Sequence, residues 1–247
     1  METPSLPPGA PPRALRALGI VAWVLMAATL VMALFVARRA QDAMGGELQR
    51  IFYFHVPSAW IAYLAFAVTF IASIAYLRTA ARRWDLLAHS SAEIGVLFTT
   101  LVLVTGPIWA HPVWGTWWQW DARLTSTLVL WLGYVGYLFL RSLASDRQRV
   151  GRPAAVVAIV AFLDVPIVHF SVYWWRTLHP SGPAPLPGQD TGLGAPELTT
   201  FFTGLVAFTL LYAWMLALRV RMGRLADAVE AAEIAGSRSP RVPVPAA

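Results

Sequence analysis

Six apolar blocks, at about 17–37, 58–77, 90–109, 125–141, 154–171 and 200–219, constrain this chain more than any other feature. Each is close to the roughly 20 residues that a helix needs to cross the hydrocarbon core of a bilayer. Alternating segments of the kind a membrane β-barrel requires do not occur. Only 13% of the 247 residues are charged and 57% are hydrophobic, so polar groups cannot cover a water-facing surface. The expected fold is an all-α integral membrane protein. It is a single bundle of six transmembrane helices over 17–220, with an N-terminal tail at 1–16 and a C-terminal tail at 221–247. The first tail is a short Pro-rich stretch before a full-length span, unlike a cleavable signal peptide. The second begins with a weak helical pattern and ends in SRSPRVPVPAA, a disorder-prone composition.

Arginine orients the bundle. The net charge is +6, and every cation is Arg. The arginines flank apolar blocks, as topology signals do, and form no nucleic-acid-binding stripe. With a cytoplasmic N-terminus, the inner segments hold Arg13, Arg16, Arg78, Arg82, Arg83, Arg141, Arg147, Arg149, Arg152, Arg219, Arg221, Arg224, Arg238 and Arg241. The outer segments hold Arg38, Arg39, Arg50, Arg123 and Arg176. This imbalance predicts both termini in the cytoplasm, with Arg38 and Arg39 running against it. Cysteine is absent, which excludes disulfides and thiolate metal sites. No glycine-rich phosphate loop occurs, so nucleotide hydrolysis by this chain is not expected.

The chemistry concentrates in three outer segments, at about 38–57, 110–124 and 172–199. The middle one contains Trp114-Gly115-Thr116-Trp117-Trp118-Gln119-Trp120-Asp121, followed by Arg123. A membrane-anchoring aromatic belt is the plain alternative, but belts scatter their aromatics over many helix ends. Concentrated indoles beside charged groups suit a flat, apolar ligand with a charged edge. A porphyrin answers that description, because its ring stacks on aromatic faces and its propionates want Arg or N–H donors. Of the five histidines, His55, His111 and His179 fall in outer loops, His169 near the outer end of the fifth span and His89 near the inner face. His55 precedes Val56-Pro57, and His179 follows Tyr173-Trp174-Trp175-Arg176 and precedes Pro180. Two neutral imidazoles in such settings suit the axial ligation of haem iron.

The stretch WGTWWQWDARLTS resembles the signature of the haem-handling WWD family. The six-span size, Phe54-His55-Val56-Pro57 and Trp174-Trp175-Arg176-Thr177-Leu178-His179 resemble its CcmC branch in particular, over roughly residues 15–220. The resemblance implies haem b held outside the membrane, with His55 and His179 as iron ligands. Trp114, Trp117, Trp118, Trp120 and Asp121 would form the platform, and Arg123 or Arg176 would meet the propionates unless they pack on neighbouring tryptophans. It further implies the bacterial inner membrane and delivery of haem to a periplasmic chaperone, CcmE, with the small membrane protein CcmD and the ABC transporter subunits CcmA and CcmB. On this reading the chain is an assembly factor, with lipid around it, and not an enzyme.

Other polar residues have quieter readings. Asp164, inside the fifth span and followed by Val165-Pro166, is expected to bond backbone freed by Pro166 and not to relay protons. His89 and Glu93, four apart on the third span, are expected to pair with each other. His111-Pro112 is expected to shape a turn. Two rival functions remain. A haem b redox subunit would place paired histidines inside its spans, and a solute transporter would show repeats or several intramembrane charges.

Overall fold

The computed structural model describes residues 11–40, 45–143, 147–179 and 193–237. Seven α-helices form among these residues: α1 (Arg13–Phe35), α2 (Phe52–Thr79), α3 (Arg82–Trp114), α4 (Ala122–Ser142), α5 (Arg147–Phe162), α6 (Asp164–Trp174) and α7 (Ala195–Ser237). A short 3-10 helix, Gly46–Ile51, leads into α2. Six segments are long and apolar enough to span a membrane, with α5 and α6 together making the fifth. The protein is a multi-pass, all-helical membrane protein, as its apolar blocks predict.

The helices overrun the apolar blocks. The third continues through Pro107 and Pro112 to Trp114, where Gly115 (φ 71°) ends it in the left-handed conformation and returns its N–H to the His111 carbonyl at 2.9 Å. The 43-residue α7 is ~65 Å long at 1.5 Å per residue, about twice the hydrocarbon thickness. It therefore carries residues 221–237 onward as helix. Conversely, the fifth span breaks at Leu163. Because a new helix starts at Asp164, Pro166 lies in its first turn, where the missing N–H has no helical partner to serve in any case. Asp164 is the first residue of that helix. Its Oδ2 is buried without a hydrogen-bond partner among the described residues, which corrects the sequence expectation.

Small residues set how closely the helices approach. Phe66 of α2 lies flat against Tyr134 of α4, with ring centroids 3.8 Å apart. A Cβ on Gly95 of α3 would come within 2.5 Å of the Phe66 ring, so glycine is required for this layer. Ala22, Ala62, Ala65, Ala92, Ala154 and Ala158 are buried around it. Ala65 of α2 accepts from the Ser91 hydroxyl of α3 at 2.8 Å, which fixes the antiparallel register of that hairpin.

The two ends of the bundle differ. One end collects the starts of α1, α3 and α5 and the C-terminal half of α7. There Asp85, 3% exposed, meets Arg82 and Arg141, Arg82 also meets Asp227 at 2.9 Å, and Arg219 pairs with Glu93 at 2.9 Å. Glu93 thus bonds α7 first, and His89 stands 3.7 Å from it as a lesser partner. The other end collects the starts of α2, α4 and α7 and the ends of α1, α3 and α6. Arg50 closes it by donating to the Ala37 carbonyl at 3.1 Å, to the Ala33 carbonyl and to Glu47 at 2.6 Å, capping the last turn of α1. Glu197 at the start of α7 accepts from the Arg38 backbone N–H at 2.9 Å.

Candidate functional site

The arginine-capped end also carries the tryptophan segment and four of the five histidines. His55 is in the second turn of α2 and not in a loop. The 3-10 helix runs straight into α2, and Pro57 is carried inside it. The Tyr53 carbonyl, which Pro57 cannot serve, is approached by α7 at Gly204, where a Cβ would stand 3.2 Å from that oxygen.

The surroundings of His55 come from α3. Its Nδ1 lies 2.8 Å from the Thr105 hydroxyl oxygen, and that hydroxyl donates to the Leu101 carbonyl at 2.7 Å. A hydroxyl has one proton to give. With that proton on Leu101, Nδ1 carries the imidazole proton and donates to Thr105, and Nε2 is left with its lone pair. Gly106 makes room for the ring, since a Cβ there would sit 3.3 Å from its Cε1. Trp109 packs edge-on at 5.6 Å and donates its own N–H to Gln49 at 3.1 Å. His55 is thereby held against α3, and Trp109 ties that part of α3 to the 3-10 helix.

His179 is held differently. Asp121 caps α4 by accepting from the Leu124 N–H at 2.8 Å through Oδ1. Its Oδ2 accepts from the Thr177 hydroxyl at 2.6 Å and the Leu178 N–H at 3.4 Å, and lies 3.5 Å from His179 Nδ1. That last contact is a charge contact outside good hydrogen-bond geometry. Burial raises the Asp121 carboxyl, but the Leu124 N–H, the Thr177 hydroxyl and His179 more than offset it, and the group stays below the ordinary carboxylate range. Burial pushes the His179 imidazole below its ordinary value, against the pull of Asp121 and with the help of Arg123. The ring is neutral at pH 7, the form that binds a metal. Trp114, on the last turn of α3, meets it edge-on at 5.2 Å.

The other three tryptophans of the segment make two ring contacts. Trp117 is 58% exposed and stacks on His111 at 4.2 Å, while Trp118 meets Trp120 edge-on at 5.5 Å. Trp118 Nε1 and Arg123 Nε are buried donors without partners among the described residues. Arg123 also donates to the His169 carbonyl at 3.0 Å. Among the described residues Arg123 and Arg176 do not pack on tryptophan; the cation–π contacts there are Arg83 with Trp84 and Arg141 with Tyr137. Arg176 is exposed at the mouth of an open groove of about 520 Å³, lined also by Trp120, Asp121, Thr125, Asp164 and Trp175. The predicted residues therefore lie at one end of the bundle, where Trp114 and Asp121 approach His179 and Arg123 adds its charge. His89 lies at the opposite end, and Pro180 lies outside the described residues.

The family model described as heme exporter protein C, CcmC, matches residues 9–235. The chain belongs to the CcmC family. It is 37% identical over 196 residues to heme exporter protein C of Bradyrhizobium diazoefficiens, covering 78% of this chain and 74% of that one. Heme exporter protein C of Haemophilus influenzae is 38% identical over 186 residues, 75% of each chain. A putative cytochrome c biosynthesis ccmC-like mitochondrial protein of Marchantia polymorpha is 40% identical over 157 residues, covering 64% and 65%. In this CcmC-family chain, sequence reasoning missed Thr105, Gly106, Trp109 and Thr177. Thr105 and Trp109 are four apart, hence on one face of α3. What puts that face against His55 is the α2–α3 register, which spacing within one helix does not reveal.

Among the described residues no three His, Asp or Glu groups gather as a metal-ion site. A metalloporphyrin asks for less, since the macrocycle supplies four donors and the protein only axial ones. Two neutral imidazoles, flat indole surfaces and orphaned Trp118 and Arg123 donors fit such a group.

Proposed function

We propose that this chain holds haem b at the outer face of the bacterial inner membrane and passes it to a periplasmic haem chaperone, CcmE, during cytochrome c maturation. The geometry that supports this reading is the hydrogen-bond chain at His55: the Thr105 hydroxyl donates to the Leu101 carbonyl and accepts from His55 Nδ1–H, which leaves the Nε2 lone pair to bind iron. His179 supplies the second nitrogen, and Trp114, Trp117, Trp118 and Trp120 the surface for the ring. Arg123, Trp118 Nε1 and Arg176 supply donors for the propionates. Haem is the cargo, and the chain acts as a transfer and assembly factor, not as an enzyme.

The two ligands are mounted unequally. His55 is built into a span, whereas His179 sits on a segment beyond the end of α6, joined to α4 through Asp121. A segment held by few contacts opens at little cost, whereas a packed helix does not. His55, expected in an outer loop, is thus the fixed ligand that retains the haem, and the His179 side opens for the incoming partner. The arginine-rich end faces the cytoplasm with both termini, on the same reading. CcmD, CcmA and CcmB are the proposed membrane partners.

The placement of His55 on a span also favours the second reading, a haem b redox subunit. Transfer separates the two. Purified, haem-loaded protein should lose its haem to added CcmE on mixing, whereas a redox subunit would keep it under the same conditions.

A further inference from the structure

Asp121 is bonded to two things at once: the first turn of α4 through Oδ1, and the Thr177–His179 segment through Oδ2. Beyond Trp175, whose N–H still bonds the Ser171 carbonyl at 3.0 Å, the hydrogen bonds that hold this segment among the described residues run through Asp121 or Thr177, and Trp114 packs on His179. The Thr177 hydroxyl gives its proton to Asp121 and receives the His179 backbone N–H at 3.2 Å. The carboxylate side chain is 8% exposed, so water offers these donors little competition. The His55 side has no counterpart, since a neutral hydroxyl receives its Nδ1 proton.

We infer that Asp121 is the positioning residue for His179: its carboxylate latches the 177–179 segment to α4 and faces Nδ1, which presents Nε2 to the iron and makes His179 the more strongly donating of the two axial ligands. This rests on the haem reading above and deepens it. A carboxylate facing the distal nitrogen of a ligating imidazole increases its basicity and fixes its orientation. A negative charge near Nδ1 also stabilises the oxidised iron, which lowers the midpoint potential.

Asp121→Asn separates these roles. Asparagine caps helices as well as aspartate does, so α4 keeps its cap. The amide nitrogen then faces the Leu178 N–H and His179 Nδ1–H, donor against donor. Thr177→Val is the second variant, since it cuts the latch and leaves the Asp121 side chain intact. Both proteins should be purified whole in detergent, with helix content and thermal unfolding measured first. In Asp121→Asn, helix content should be unchanged, the midpoint potential of the bound haem should rise, and haem loss to excess apomyoglobin should quicken by about tenfold or more. In Thr177→Val, haem loss should quicken with a smaller rise in potential. An unchanged potential and unchanged haem loss in Asp121→Asn would overturn the inference. So would equal effects on haem from an Asp121→Asn protein that has lost helix, provided that Thr177→Val is silent. The haem reading itself fails by a different sign, namely an unmodified protein that takes up no haem.

Discussion

Thr105→Val removes one hydroxyl and adds a methyl group of similar size. It leaves α3 intact, because the Leu101 carbonyl that the hydroxyl served keeps its helical position. What it takes away is the acceptor for His55 Nδ1. A buried donor left without a partner costs ~1–3 kcal/mol. Loss of the group that orients a metal-ligating histidine typically costs about 10–100-fold in affinity, or ~1.4–2.7 kcal/mol. The two figures agree, so haem affinity should fall by one to two orders of magnitude while insertion and helix content stay as they were. Titration of purified apoprotein with haem, followed in the Soret region, reads this directly. If Thr105→Val binds haem as tightly as the unmodified protein while His55→Gly does not, Thr105 does not set the tautomer and the hydrogen-bond chain does not prepare His55.

Three further outcomes are expected. Trp117→Ala with Trp118→Ala should nearly abolish haem retention where either alone only weakens it, because each aromatic contact contributes ~0.5–1.5 kcal/mol beyond burial; unchanged haem content in the inserted double variant would reduce the segment to a membrane anchor. Asp85→Ala should destabilise the bundle by ~3–5 kcal/mol, because it strands the mostly buried Arg141 guanidinium, and the loss should show as a lower unfolding midpoint in detergent. Reporter fusions should place Trp117 and residue 190 outside the cytoplasm and residues 82 and 149 inside it, and residue 190 found in the cytoplasm would reverse the proposed orientation.

The six spans were legible because each is a long apolar block with arginines at its edges, a signal that depends on solvent and not on packing. Helix ends were less so. The third apolar block stops near Trp109, yet α3 runs to Trp114, because Pro112 does not break its last turn and Gly115 supplies the stop. His55 looked like a loop residue for a similar reason. Pro57 marks a boundary in sequence, but α2 carries it, with α7 packed against the carbonyl that it leaves unserved. In the site, the residue types that touch a porphyrin stood out as clustered indoles and histidines. The residues that aim them did not. Thr105, Gly106 and Thr177 are ordinary residues, and only the antiparallel register of α2 with α3 and the return of the chain after α6 bring them to the imidazoles. Asp121 was visible as part of the tryptophan signature, but its double attachment depends on where Thr177 comes to lie.

The visible spectrum of His55→Gly and His179→Gly, with and without imidazole, tests the central claim most directly. The unmodified protein, purified with haem, should show a low-spin spectrum of two nitrogen ligands. Each glycine variant should shift towards a mixed or high-spin form, and free imidazole should restore the low-spin bands by filling the vacated place. His111→Ala, His169→Ala and His89→Ala should leave the spectrum nearly unaltered. Glycine variants that keep the unmodified spectrum without imidazole would show that His55 and His179 do not ligate the iron.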